Sequence, residues 1–335
     1  MGKLIAKLAR ALEAQLAQNT GKPIEPEQRA LVIPPRAETR DTPARAATDP
    51  FTLENLLRAW RKVRANGGGA GVDGQTLSDF GAHERENLDA LRAELASGNY
   101  APPPVRVVYV PKSKGDWRPL GILTVRDRIA QRAVYDAIAP VYEKKFLACS
   151  FGFREGRSIQ DVIASVEDYR DAGRRWVVDG DIKDCFERID HRLLLNLVAR
   201  DLTDARLLKL IERWLTARVF NEMRAQKKNI GTYQGGVISP LLANVYLHTF
   251  DLELTRRGLA LVRYADDWII LNAKKSDAET ALDHATRALE KLKLLVNPSK
   301  TRITHFDEGF SFLGVFFVGN KHYAISAGAG RMPKT

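Results

Sequence analysis

Cysteine is nearly missing from this chain: only Cys149 and Cys185 occur in 335 residues. Two thiols cannot build a disulfide framework or a cysteine-rich zinc site, and the scarcity fits a reducing cytoplasm. Long apolar runs are missing as well. Nothing approaches the ~18 uninterrupted apolar residues of a transmembrane helix, so no membrane partner is expected. The start, MGKLIAKLARALEAQLAQ, carries charges every few positions and lacks the apolar centre of a secretory leader. The glycine-rich stretch Gly67–Gly74 lacks both the P-loop lysine and the dinucleotide spacing. No internal repeat is evident.

What is present is positive charge. Lys and Arg total 52 against 41 acids, a net +11. A balance this basic predicts a polyanionic partner, nucleic acid before an anionic membrane. The basic residues are spread along the chain, which suits a groove that follows a phosphate backbone. Hydrophobic residues at 44% exclude wholesale disorder and allow about two domains.

The pattern divides as follows. Residues 1–18 read as an amphipathic helix, with Leu4, Leu8, Leu12 and Leu16 on one face. Residues 19–50 hold six of the fifteen prolines and read as an extended linker. The compact body starts near Phe51, with Thr52 capping a helix. Val105–Pro111 and Arg118–Ile122 read as the arms of a basic hairpin around Lys112–Trp117. Helix is expected over roughly 125–146 and 191–215. Trp176–Ile182 reads as a short strand. Ser239 at N-cap and Pro240 at N1 predict a helix to about Arg257. Leu259–Tyr264 and Trp268–Leu271 read as strands around a tight Ala265-Asp266-Asp267 turn. Ser276–Glu279 reads as a capping box opening a helix to about Leu294. Phe310–Phe317 is a further apolar strand region. The order from 176 to 317 is α+β, an antiparallel sheet with helices on one face.

Tyr264-Ala-Asp-Asp267 is the strongest local signal. Adjacent carboxylates at the tip of an apolar hairpin repel unless a cation sits between them, and hard oxygen donors suit Mg²⁺. Asp181 closes another apolar strand and is a second such acid. If the two strands pair, Asp181 and Asp266 share two metal ions about 4 Å apart, the arrangement for in-line phosphoryl displacement. Taken singly, each acid is equally well explained as a turn or strand-end residue. Their joint occurrence on apolar strands of a basic chain favours the chemical reading.

An ordered set of blocks gives a resemblance. Gly71-Val-Asp-Gly74 is followed by Pro111-Lys112 with Arg118-Pro-Leu-Gly-Ile122, then Val125-Arg-Asp-Arg-Ile-Ala-Gln131 and Ser150-Phe-Gly-Phe-Arg154. Asp181-Ile-Lys-Asp-Cys-Phe186 and Gln234-Gly-Gly-Val-Ile-Ser-Pro-Leu-Leu-Ala-Asn244 come next. Tyr264-Ala-Asp-Asp267, Asn297-Pro-Ser-Lys-Thr301 and Phe312-Leu-Gly314 complete the series. Over residues 51–317 the chain resembles a reverse transcriptase of the group II intron type.

The resemblance implies a right-hand polymerase, with residues 51–175 mainly fingers and 176–317 mainly palm, the two interleaving. It implies that Asp181, Asp266 and the Ile182 carbonyl hold two Mg²⁺ ions, for which Mn²⁺ can substitute, with Asp267 supporting them. Lys112 and Arg118 match residues that grip the incoming deoxynucleoside triphosphate. Phe186 matches the ring that excludes a ribose 2′-hydroxyl. Gln234 matches the turn at the nascent base pair, and Lys300 a proton donor to the leaving pyrophosphate. Phe312, Leu313 and Gly314 match a primer-gripping hairpin. The implied partners are an RNA template and a DNA or RNA primer. Tyr233 where the family has Pro, and Cys185 where it often has an aromatic, bear on substrate grip and fidelity.

Residues 318–335 read as a tail, a junction or the start of a thumb, so the thumb is expected to be largely absent. That shortness resembles CRISPR-associated reverse transcriptases, which work with an adaptation integrase to take spacers from RNA. The alternatives are a truncated group II intron-encoded protein of the retrohoming or maturase kind, a non-catalytic RNA-binding scaffold, and an RNA-templated RNA polymerase or primase.

Overall fold

The computed structural model describes residues 49–111, 117–221, 224–227, 231–232 and 235–325. The expected helix over 1–18, nearly all of the 19–50 linker, Lys112, Gln234 and the last ten residues lie outside these. Arg118 is described by its backbone alone.

Three helices come first: α1 (Leu53–Asn66), α2 (Leu77–Ala82) and α3 (Glu84–Ala96). Thr52 caps α1 as its sequence predicts, its hydroxyl accepting from the Asn55 amide. The hairpin β1 (Val105–Pro111) and β2 (Trp117–Ile122) follows, then α4 (Val125–Glu143) and α5 (Ile159–Asp171). After β3 (Trp176–Asp181) come the short α6 (Cys185–Arg188), α7 (His191–Asp201) and α8 (Ala205–Leu215). A hairpin, β4 (Arg218–Asn221) and β5 (Arg224–Lys227), precedes α9 (Ser239–Thr255). The chain continues through β6 (Ala260–Tyr264), β7 (Asp267–Asn272), α10 (Lys275–Lys291) and β8 (Arg302–His305). It ends in β9 (Phe310–Phe312), β10 (Val315–Val318) and β11 (Lys321–Ala324).

The central sheet is antiparallel in the order β6-β7-β3-β8. β6, β7 and the first half of β3 are near-continuous apolar runs because both faces are covered. On one face Val178, Leu261, Trp268 and Ile270 pack into the cluster that holds α9 and α10. On the other, Val177, Val262, Ile269 and Leu271 meet Val162, Ile163 and Val166 of α5 together with Phe306, Phe310 and Phe317. Helices are therefore not confined to one face: α5 and the small β9–β11 sheet close the second. α9 is buried nearly all round, from Leu241 to Leu247 and again at Phe250, as befits a helix through the middle of the molecule. The β1–β2 hairpin joins β4 and β5 in a separate sheet, where β1 runs parallel to β4.

Several boundaries differ from the sequence expectation. Ile238, not Ser239, is the N-cap of α9, so Ser239 and Pro240 are its first two residues. The chain is already turning there, since the Ser239 amide donates to the Gly236 carbonyl. Ser276 caps nothing: α10 starts at Lys275 after Lys274, two residues beyond the end of β7. The stretch 191–215 is two helices, parted where Leu202 turns extended and Asp204 caps α8 by accepting from the Arg206 amide.

Candidate active site

Strand register brings the acids together. Tyr264 lies opposite Asp267 across β6 and β7, and Asp267 lies opposite Asp181 across β7 and β3. Directly opposed residues of an antiparallel pair share a face, so Tyr264, Asp267 and Asp181 form a row at one end of the sheet. Asp266 occupies the two-residue turn beside them. Beyond β3, Ile182 bridges Val296 through bonds that use the Asp181 carbonyl and the Lys183 amide. That pairing turns the Ile182 carbonyl away from Val296. Extending the β3–β7 register by one residue sets Ile182 opposite Asp266.

Charge is concentrated here. Lys300 Nζ lies 2.8 Å from Asp181 Oδ1, and Asn297 Nδ2 donates to Asp181 Oδ2 at 2.8 Å. The Asp181 backbone amide donates to Thr301 Oγ1 at 3.3 Å. The Asp267 carboxyl is open at the rim of the sheet, yet it is pushed up to about 6. The protein packed around it is the largest cause, followed by the charges of Asp266 and Asp181, with Lys300 acting in the opposite sense. Lys300 is held more firmly protonated than a free lysine, first by its hydrogen bond to Asp181. Among the described residues no three acidic, histidine or cysteine side chains already form an ion cage. The chemistry of the donors nevertheless fits a hard cation: carboxylate oxygens in excess of positive charge, with one acid disfavoured in its charged form first by the protein around it and then by its like-charged neighbours.

The turn that carries Asp266 is fixed from behind. Ala265 has φ +57°, a left-handed conformation costly for a residue with a Cβ. Arg263 Nη1 donates to the Ala265 carbonyl at 2.9 Å and to Asn244 Oδ1 at 3.0 Å. The rest of the guanidinium forks onto Asp251, with Nε and Nη2 each 2.6 Å from a carboxylate oxygen, and Nη2 also donates to Ser150 Oγ at 2.8 Å. Arg263 and Asp251 are 0% exposed. Gly152 closes the other side, where an added Cβ would stand 2.5 Å from the Ala265 nitrogen. Sequence reasoning assigned no role to Arg263 or Asp251. The available signal was an arginine inside the apolar run Leu259–Tyr264.

The remaining expected residues are placed unevenly. Phe186 lies on α6, half-buried against the main core, and its carbonyl accepts from the Thr232 amide. Arg118 sits on β2 opposite Val110. Leu313 and Gly314, with φ of +52° and +75°, form the turn between β9 and β10. Lys112 and Gln234 are outside the described residues.

An antiparallel sheet with acids from separate strands aligned at one end is the arrangement expected of a right-hand polymerase palm. Residues 110–317 match the family of reverse transcriptases (RNA-dependent DNA polymerases). The chain belongs to that family, the RNA-directed DNA polymerases. It is 36% identical over 321 residues to protein YkfC of Escherichia coli, covering 80% of this chain and 84% of that one. It is 30% identical to the group II intron-encoded protein LtrA of Lactococcus lactis, over 76% of this chain but 53% of LtrA, so it spans about half of that relative. Telomerase from Candida albicans shares the fold at a TM-score of 0.51 and 12% identity, covering 68% of this chain and 47% of that one. No helix among the described residues is long and apolar enough to cross a membrane.

Proposed function

We propose that this chain extends a primer with deoxynucleotides on an RNA template, using the acid row at the end of the central sheet. The observation that carries the reading is the register, which sets Asp181 against Asp267 with Asp266 in the adjoining turn. Asp181, Asp266 and the Ile182 carbonyl would hold two Mg²⁺ ions, or Mn²⁺, with Asp267 in support. Bound there, the ions would supply the positive charge that favours the attacking 3′-hydroxylate and the leaving pyrophosphate. Lys300, kept protonated beside the acids, delivers a proton to the departing pyrophosphate. Phe186 underlies the incoming sugar and rejects a 2′-hydroxyl by steric clash. Lys112 and Arg118 grip the triphosphate, and Gln234 acts at the nascent base pair.

The test is the double variant Asp266→Ala, Asp267→Ala, assayed for extension of a DNA primer on RNA. Extension should fall below detection, while RNA binding stays near that of the unaltered chain. Extension by the double variant would overturn the assignment.

The likeness to LtrA favours an intron-derived RNA as the natural template. Spacer capture from RNA with an adaptation integrase is the other reading. Sequencing the RNA that copurifies with the chain from its own cells separates the two.

A further inference from the structure

Phe153 is a large aromatic side chain in a conformation that aromatic residues avoid. Its φ is +58°, and it is 50% exposed. Left-handed backbone at a bulky residue persists only where the surroundings over-determine it. Both neighbours do so here. The Gly152 carbonyl accepts from Asn244 Nδ2 at 2.8 Å, and Gly152 itself lies against the Ala265 backbone. Arg154 is buried, with Nη1 donating to the Leu147 and Ser150 carbonyls at 2.8 and 2.7 Å and Nε donating to Glu143 at 2.9 Å. The strain therefore presents a ring to solvent that a relaxed backbone would send elsewhere.

That ring faces a meaningful neighbour. Its centre is 6.4 Å from the Tyr264 ring, tilted by 45°. Tyr264 is the first member of the row that continues through Asp267 to Asp181. We propose that Phe153 is a positioning residue for the primer terminus, forming with Tyr264 an aromatic ledge beneath the last base pairs of the template–primer duplex. Bases within a duplex are already stacked on one another, so the ledge meets sugar faces and groove edges rather than base planes. Such contact is apolar and indifferent to sequence, as a polymerase requires. The inference rests on the polymerase reading above and adds to it a substrate contact by a residue outside the acid row.

The test uses three variants of the full chain: Phe153→Gly, Phe153→Ala and Phe153→Tyr. Affinity for an RNA–DNA primer–template is measured by fluorescence anisotropy without nucleotide, alongside thermal melting and steady-state extension. Phe153→Gly should raise the melting midpoint by relieving the backbone, yet weaken primer–template binding by about tenfold. The KM for primer–template should rise with it, and the KM for deoxynucleotide should not. Phe153→Ala should show the same binding loss, and Phe153→Tyr should bind like the unaltered chain. If Phe153→Gly binds normally, or loses stability together with binding, the inference falls and the polymerase reading stands. If the unaltered chain extends no primer, the polymerase reading itself falls.

Discussion

At Arg263 every donor of the guanidinium is taken up away from solvent, by Asp251, Asn244, Ser150 and the Ala265 carbonyl. Removing one partner of such a pair leaves a buried charge without compensation, at about 3–5 kcal/mol. Asp251→Ala should lose stability on that scale in chemical denaturation, and the acid turn should lose its anchor with it. Phe186→Ala tests a different property. If the ring is the sugar gate, the variant should incorporate ribonucleotides that the unaltered chain refuses, which competition between ATP and dATP reads directly. Legibility differs sharply among these residues. Asp181, Asp266 and Asp267 were readable only as a set: each alone fits a turn or a strand end, whereas their joint occurrence on apolar strands of a basic chain predicts that they meet, as the strand register shows. Asp251 was not, because its partner lies on the following strand and Ser150 lies 113 positions from Arg263. Local sequence marks Arg263 as an arginine in an apolar run but does not say which residues meet it.

The elements show where local signals decide and where packing overrides them. Gly180 lies opposite Trp268, and an added Cβ would stand 2.3 Å from the indole. Gly180→Ala should destabilise by about 1–3 kcal/mol, the usual cost of overpacking. Because Gly180 precedes Asp181, primer extension should fall with it. Melting and extension measured on the same preparation check both. Strands β3, β6 and β7 were legible from their apolar runs and Thr52 from its capping chemistry. The break between α7 and α8 was not, since Asp201–Asp204 holds neither glycine nor proline. Strand β8 was hidden as well: Arg302–His305 is short, and it is a strand because β3 offers it an edge. Ser276 misled because short polar residues cap helices only where the preceding chain leaves them room.

Over the whole molecule, net charge and a buried acid set the response to solution conditions. A net +11 on a chain that copies RNA predicts template affinity that falls steeply with salt. For single-stranded RNA the slope is about −0.7 per phosphate neutralised in a plot of log affinity against log salt. A flat plot would place the positive charge away from the RNA. Asp127 is buried where α4 meets α8, accepting from Tyr100 Oη at 2.9 Å and Trp214 Nε1 at 2.8 Å. Burial pushes its carboxyl up to about 6, against the pull of those hydrogen bonds. The folded state then holds this proton more tightly than the unfolded chain does. Stability from this group is present at low pH and is lost as pH rises from about 4 to about 6. Urea midpoints of the unaltered chain, compared with Asp127→Asn, should favour the carboxyl at pH 4 relative to pH 7.

The grip of Arg263 on the Ala265 carbonyl also governs how the enzyme fails when warmed. An active-site loop on a flexible rim can slacken well before the rest of a protein melts, leaving a folded but idle population. Here the acid-bearing bend is tied to the buried guanidinium of Arg263, so it has no independent way to soften. Polymerisation should persist up to the transition and vanish within it, and the inactivation and unfolding curves should superimpose.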